Sequence, residues 1–360
     1  MKRALVLTNH LSSWGGSEVL ALEVSEVLKE THNVTLVSNV ISKDIESHSK
    51  ARHFTITDNP SRIDLREYDF IWSQHYVAPL CRGFRELDEF AGSFNSVHLS
   101  PYEPFELAAL SYSHRIGANI IGNSLETIKK IESFFLDNVN IYNLNNATLP
   151  SFSVGNSGID QNIVTPRSIM LVSNHIPTEL HLAVEILQSK GLKVAKFGFG
   201  QKNYKRIGKD DIEKHDVIIT IGKTAQYGIL AKRPVYCYDR FGGPGYIVLE
   251  NAQTALDYNF SGRCCNRKLS AEDISNEILS GFFRAAQNTE LLYEKYKRCF
   301  DLREFVKFLS SKNTTLNTNS VDPYPIIETA KLIRRLYPKP KPSQGNRLIN
   351  KLRSYKCFFE

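Results

Sequence analysis

The chain states the same opening twice. Ala4-Leu5-Val6-Leu7-Thr8-Asn9-His10 is an apolar run that stops on Asn-His before a helical pattern, and Ile169-Met170-Leu171-Val172-Ser173-Asn174-His175 repeats the plan. Each opening leads through an amphipathic helix into a second β-rich run, Val34-Thr35-Leu36-Val37 and then Leu192-Lys193-Val194-Ala195. Two βαβ starts predict an α/β chain of two Rossmann-like domains facing a central cleft. A ligand of such a chain belongs between the halves, and a nucleotide or a sugar is the usual kind.

The length of 360 residues allows each half its own core. No stretch approaches the ~20 apolar residues that span a bilayer. Met1-Lys2-Arg3 precedes an apolar run that ends at Leu7 without a small-residue cleavage site, so a signal peptide is rejected and a cytoplasmic location is expected. The six cysteines lack CxxC or zinc-like spacing and are expected to be reduced thiols. The net charge of +7 is local: residues 331–360 carry nine Lys/Arg against one acid, and the remainder is near neutral. A nucleic-acid partner for the folded body is therefore excluded. Within the tail, Leu348, Ile349, Leu352, Tyr355 and Phe359 recur at helical spacing among Arg347, Lys351, Arg353 and Lys356. Residues 338–360 thus suit an anionic membrane surface, and the chain is expected to sit peripherally on the cytoplasmic membrane face.

The pattern divides the chain into a first Rossmann-like domain at 1–150, a linker rich in Asn, Ser, Gly and Pro at 151–167, a second domain at 168–310, and a polar loop with a basic Pro-containing tail at 311–360. Strands are predicted at 4–8, 34–38, 53–57, 69–73, 94–98 and 118–122, then at 169–173, 193–197, 216–221 and 234–238. Helices are predicted at 17–30, after Asn123-Ser124, at 178–190, 224–232 and 246–254, and across 272–310.

Chemistry is expected beyond the carboxyl ends of the strands, where His10, His75, His98 and His175 fall. Gly15-Gly16-Ser17-Glu18 runs straight into a helix, offering close backbone approach and free N–H groups. The loop from His98 to Glu106 supplies an imidazole, a hydroxyl, Tyr102, and the carboxylates of Glu103 and Glu106, a mixture suited to a polyhydroxylated ligand. In the second half, Gly222-Lys223-Thr224 opens a helix after a buried strand and reads as a diphosphate pocket, without Walker A spacing. Asp239 through Tyr246, with Gly242-Gly243, reads as a second glycine-rich turn from strand to helix.

These elements resemble the GT-B glycosyltransferases, and are similar to the family 4 group that uses nucleotide-activated sugars. Gly15-Gly16-Ser17-Glu18 resembles that family's GG-x-E loop. Ile120-Ile121-Gly122-Asn123-Ser124 resembles its late first-domain element, Leu230 through Val235 its approach to a Pro-Val strand, and Phe241 through Gly245 its GG-x-P turn. The resemblance implies transfer of a sugar from a nucleoside diphosphate sugar to a glycan acceptor, expected to be lipid-linked, in cell-surface polysaccharide synthesis. It implies no cofactor beyond that co-substrate, and the absence of a clustered Asp-x-Asp implies no required metal. One departure stands out. The family carries two glutamates separated by seven residues, and here Tyr227 occupies the second place while no acid stands near Ile219 or Thr220 at the first. Glu250 or Asp239 is the substitute expected for the ribose contact.

On this reading Gly15, Gly16, His175, Gly222, Lys223, Thr224, Asp239, Gly242, Gly243 and Glu250 bind the donor. His10, His98, Glu103 and Glu106 are the catalytic candidates, the last three as bases if the anomer inverts. The alternatives are a catalytically inactive GT-B-like scaffold that binds a glycan or partner, and a nucleotide-sugar 2-epimerase.

Overall fold

The computed structural model describes residues 2–135, 141–153, 158–160, 162–201 and 203–336. The amphipathic pattern at 346–359 and the Pro-Lys repeat before it lie outside the described residues. Two sheets carry the chain. The first contains β1 (Lys2–Leu11), β2 (His32–Ile41), β3 (Thr55–Thr57), β4 (Phe70–Gln74), β5 (Ser93–His98), β6 (Asn119–Gly122) and β7 (Ile141–Asn143), all parallel, in the order β3-β2-β1-β4-β5-β6-β7. The second contains β8 (Ser168–Val172), β9 (Lys193–Phe197), β10 (Val217–Thr220), β11 (Val235–Asp239) and β12 (Gly242–Tyr246), in the order β12-β11-β10-β8-β9.

The predicted strands are present, and their chemistry explains them. In β1, Ala4 and Val6 face one layer and Leu5 and Leu7 the other, and all four are fully buried. A strand covered by helices on both sides has no polar face, hence the unbroken apolar run. Helix Gly16–Leu28 packs Leu20, Val24, Val27 and Leu28 into the first of these layers.

Three features depart from the sequence reading. β12 is a strand, not a turn into a helix, and it pairs antiparallel with β11. Gly242 and Gly243 serve close packing there: an added Cβ would lie 2.1 Å from the Arg267 carbonyl oxygen and 2.0 Å from that of Cys237. Only residues without a side chain allow this approach. Helix Leu302–Ser310 follows the second domain in sequence but buries Leu302, Val306 and Leu309 in the first domain's core beside the helix Gly16–Leu28. Finally, the expected basic tail begins with an ordered helix, Pro323–Leu336, whose Ile326, Ala330 and Ile333 close the opposite face of the first sheet.

The two domains meet through buried polar contacts. Glu23, fully buried on helix Gly16–Leu28, accepts from Lys223 Nζ at 2.8 Å and from the Tyr227 hydroxyl at 2.5 Å. Thr148 Oγ1 lies 3.1 Å from the same carboxylate. Lys223 Nζ also donates to the Ala147 carbonyl at 2.7 Å. Burial works to lower the Lys223 ammonium and outweighs the pull of Glu23. Arg263 forks onto Glu126 across the cleft rim at 2.9 and 2.7 Å, and its guanidinium lies 5.2 Å from the centre of the Tyr102 ring.

Candidate active site

In each sheet the strand order reverses around the opening strand, between β1 and β4 and between β8 and β10. Such reversals leave a crevice beyond the carboxyl ends of the strands, where ligands of open α/β sheets bind. The first crevice gathers four titratable side chains. His75 follows β4 in a left-handed conformation, φ +61°, which is unusual for a non-glycine residue. The Asn9 N–H donates to its Nδ1 at 3.2 Å, so the neutral ring carries its proton on Nε2, 3.0 Å from Glu106 Oε1. Burial opposes charge on both groups. Their mutual attraction overrides it, raising the His75 imidazole and lowering the Glu106 carboxyl.

His10 is the imidazole that reaches the cleft, with 26% of its side chain exposed. Its Nε2 lies 3.6 Å from Glu18 Oε1, and its ring centre lies 5.2 Å from that of His75. Glu18 is buried and accepts the hydroxyls of Ser13 at 2.5 Å and Ser17 at 2.9 Å. A Cβ on Gly15 would fall 2.6 Å from Glu18 Oε2, so glycine there lets the carboxylate fold over the helix start. Gly16 is exposed, with open space around it. No side chain caps this helix, and N–H groups at such a start are of the kind that take an anion.

The sequence-predicted residues divide. His10, Gly15 and Gly16 lie together. Glu106 joins them, but as the half-buried partner of His75. His98 is corrected: it is fully buried, its Nδ1 donates to the Glu106 carbonyl oxygen at 2.8 Å, and its Nε2 lies 3.2 Å from the Ser96 hydroxyl. With both nitrogens engaged and no exposure, it positions the Glu106 segment and cannot take a proton from a substrate. Glu103 stands half-buried at the start of the short helix Pro104–Leu107.

Burial holds the His98 imidazole down at about 4. The folded protein therefore keeps it neutral while the unfolded chain protonates near 6.5. Stability from this group is whole above pH 6.5 and is lost as pH falls to about 4, by about 3 kcal/mol in all. Chemical denaturation across that range is expected to show the loss, and His98→Gln to flatten it.

In the second domain, Gly222 takes φ +60° before helix Lys223–Leu230, with Thr224 half-buried and His175 exposed after β8. Lys223 is corrected: its ammonium is spent on Glu23 and backbone carbonyls, and it faces the first domain rather than a phosphate. Asp239 is likewise corrected, since its carboxylate accepts the Phe241 N–H at 2.7 Å and the Gly262 N–H at 3.1 Å and so fastens the loop after helix Leu249–Asp257. Gly242 and Gly243 are buried strand residues, as described. Glu250 stands at the wrong edge. Because β12 runs antiparallel, helix Leu249–Asp257 starts at the amino ends of the parallel strands, and Glu250 pairs there with exposed Arg284 at 2.7 Å.

Glu18 entered the sequence reading only within a motif, and His75 only as a strand-end imidazole. Strand register, which sets β1 beside β4, is what joins them to His10. Among the described residues, no group of three or more His, Cys, Asp or Glu is placed to hold a metal ion.

No family model matches the chain, and no curated protein matches it in sequence. Solved structures do match in fold. The Anabaena protein HepE, solved with UDP and glucose, superposes with a TM-score of 0.55 at 14% identity, over 87% of this chain and 100% of that one. UGT89C1 of Arabidopsis thaliana, solved with UDP, gives a TM-score of 0.50 at 11% identity, over 86% of this chain and 100% of that one. The fold is that of the GT-B glycosyltransferases. The family 4 subgroup implied by the sequence is not distinguished by these matches.

Proposed function

We propose that the protein transfers a sugar from a nucleoside diphosphate sugar to a glycan acceptor. The observation that carries this reading is the His10–Glu18 pair at the first domain's crevice, beside an uncapped helix N-terminus. His10 Nε2 takes the proton of the acceptor hydroxyl as its oxygen bonds to the anomeric carbon. The bond from that carbon to the diphosphate oxygen breaks with its electron pair on the leaving group. Glu18 stabilises the imidazolium that forms. Backbone N–H groups at Gly15-Gly16 and Gly222 through Thr224 face the departing charge, with His175 on the donor side. His75 and Glu106 hold the base in place from behind. The UDP carried by the two structural neighbours favours a uridine nucleotide. The basic segment at 346–359 favours an acceptor on a membrane lipid, as in cell-surface polysaccharide synthesis.

Incubation with UDP-, GDP- and dTDP-sugars and a panel of glycan acceptors tests this. Nucleotide release that depends on acceptor, with inversion at the anomeric carbon by NMR, is the expected result. Nucleotide binding without any release would leave a binding scaffold, and retention would remove His10 from the role of base.

A further inference from the structure

A second cavity opens in the first domain, and none of the crevice histidines lines it. It measures about 560 Å³ and lies between helix Pro323–Leu336 and the turn that follows β4. That is the size of a small-molecule site. Four cations line it: Arg82, Lys331, Arg334 and Arg335. Arg82 and Arg334 spend donors on backbone carbonyls, of Arg62 at 3.4 Å and Asp58 at 3.1 Å, and Arg82 also lies close enough to Asp64 to help hold its carboxyl down. Lys331 alone of the four forms an ion pair among the described residues, with Glu328 on its own helix. Pro79, Leu80 and Ile327 supply an apolar wall.

One lining residue carries an unused polar atom. Asn39, at the end of β2, is 2% exposed and donates from Nδ2 to Asn9 Oδ1 at 2.6 Å. Its own Oδ1 has no hydrogen-bond partner among the described residues. The same contact ties the cavity to the crevice, because the Asn9 N–H is the donor that fixes His75.

We infer that this cavity binds the acceptor through an anionic group, a phosphate or carboxylate, held by the cations that line it. Guanidinium groups recognise both anions by paired N–H donors, and the apolar wall takes a sugar's hydrophobic face. The role of acceptor rests on the glycosyl-transfer reading; the anion site does not.

Calorimetric titration of the full chain with glucose 1-phosphate, glucuronate and glucose, with UDP titrated separately, tests the inference. Either anionic sugar is expected to bind while glucose binds at least about tenfold more weakly. The exposed pair Lys331→Ala/Arg335→Ala is expected to weaken the anionic sugar by a similar factor and to leave UDP affinity and the melting temperature unchanged. Anionic-sugar binding without UDP binding would remove the uridine nucleotide from the transfer reading and leave the anion site standing. Equal binding of glucose, or an unaffected double variant, would overturn the anion site. So would binding by vesicles of phosphatidylglycerol with none by the soluble sugars, because the cations would then serve a lipid surface.

Discussion

Lys223→Ala is expected to destabilise the protein by about 3–5 kcal/mol, read as a lowered urea midpoint. The lysine is buried, and its loss leaves the fully buried Glu23 carboxylate between two domains with the Tyr227 and Thr148 hydroxyls and the more distant Arg206 charge to meet it. Breaking one side of such a pair costs more than the pair itself contributes. Replacing both charges, as in Glu23→Met/Lys223→Met, is expected to recover part of the loss, since no uncompensated charge remains. A Lys223→Ala protein with the normal midpoint but no nucleotide binding would return Lys223 to the donor site.

His10→Ala is expected to have the opposite profile: kcat reduced by about 10²–10⁴ with the melting temperature unchanged, measured as acceptor-dependent nucleotide release. The side chain is partly exposed at the cleft and contributes little to either core. Glu18→Gln keeps the shape of the carboxylate and removes its charge. It is expected to lower kcat less than His10→Ala, because the base stays in place while the imidazolium loses its counter-charge. A His10→Ala enzyme with full turnover would exclude it as the base.

Most of the fold was legible because apolar runs such as Ala4 through Leu7 and Val217 through Ile219 must be buried on both faces, and only covered parallel strands meet that demand. β12 was hidden because Gly242-Gly243-Pro244-Gly245 carries no alternation at all; its residues are chosen for what their backbone must pass beside. Helix Pro323–Leu336 was obscured by its charges, although Ile326, Ala330 and Ile333 repeat at helical spacing. The site was legible in part. Strand-end histidines located the crevice, but which of them meets the cleft depends on side-chain direction and register. His98, on the same kind of strand end as His10, points inward. Lys223 misled for a similar reason: its long side chain can serve a phosphate at its own helix or a carboxylate on another domain. Glu23, an acid within the apolar run Val19 through Val24, was the available signal that a buried cation would be needed.

The return of helices Leu302–Ser310 and Pro323–Leu336 to the first sheet gives synthesis and assembly opposite orders. The ribosome delivers β1 through β7 first, yet one face of that sheet waits for Leu302, Val306 and Leu309 and the other for Ile326, Ala330 and Ile333. The second domain, by contrast, is one uninterrupted stretch of chain. Of the two, the domain made later is thus the one able to finish first, and the amino-terminal sheet completes only when the chain through Leu336 has emerged.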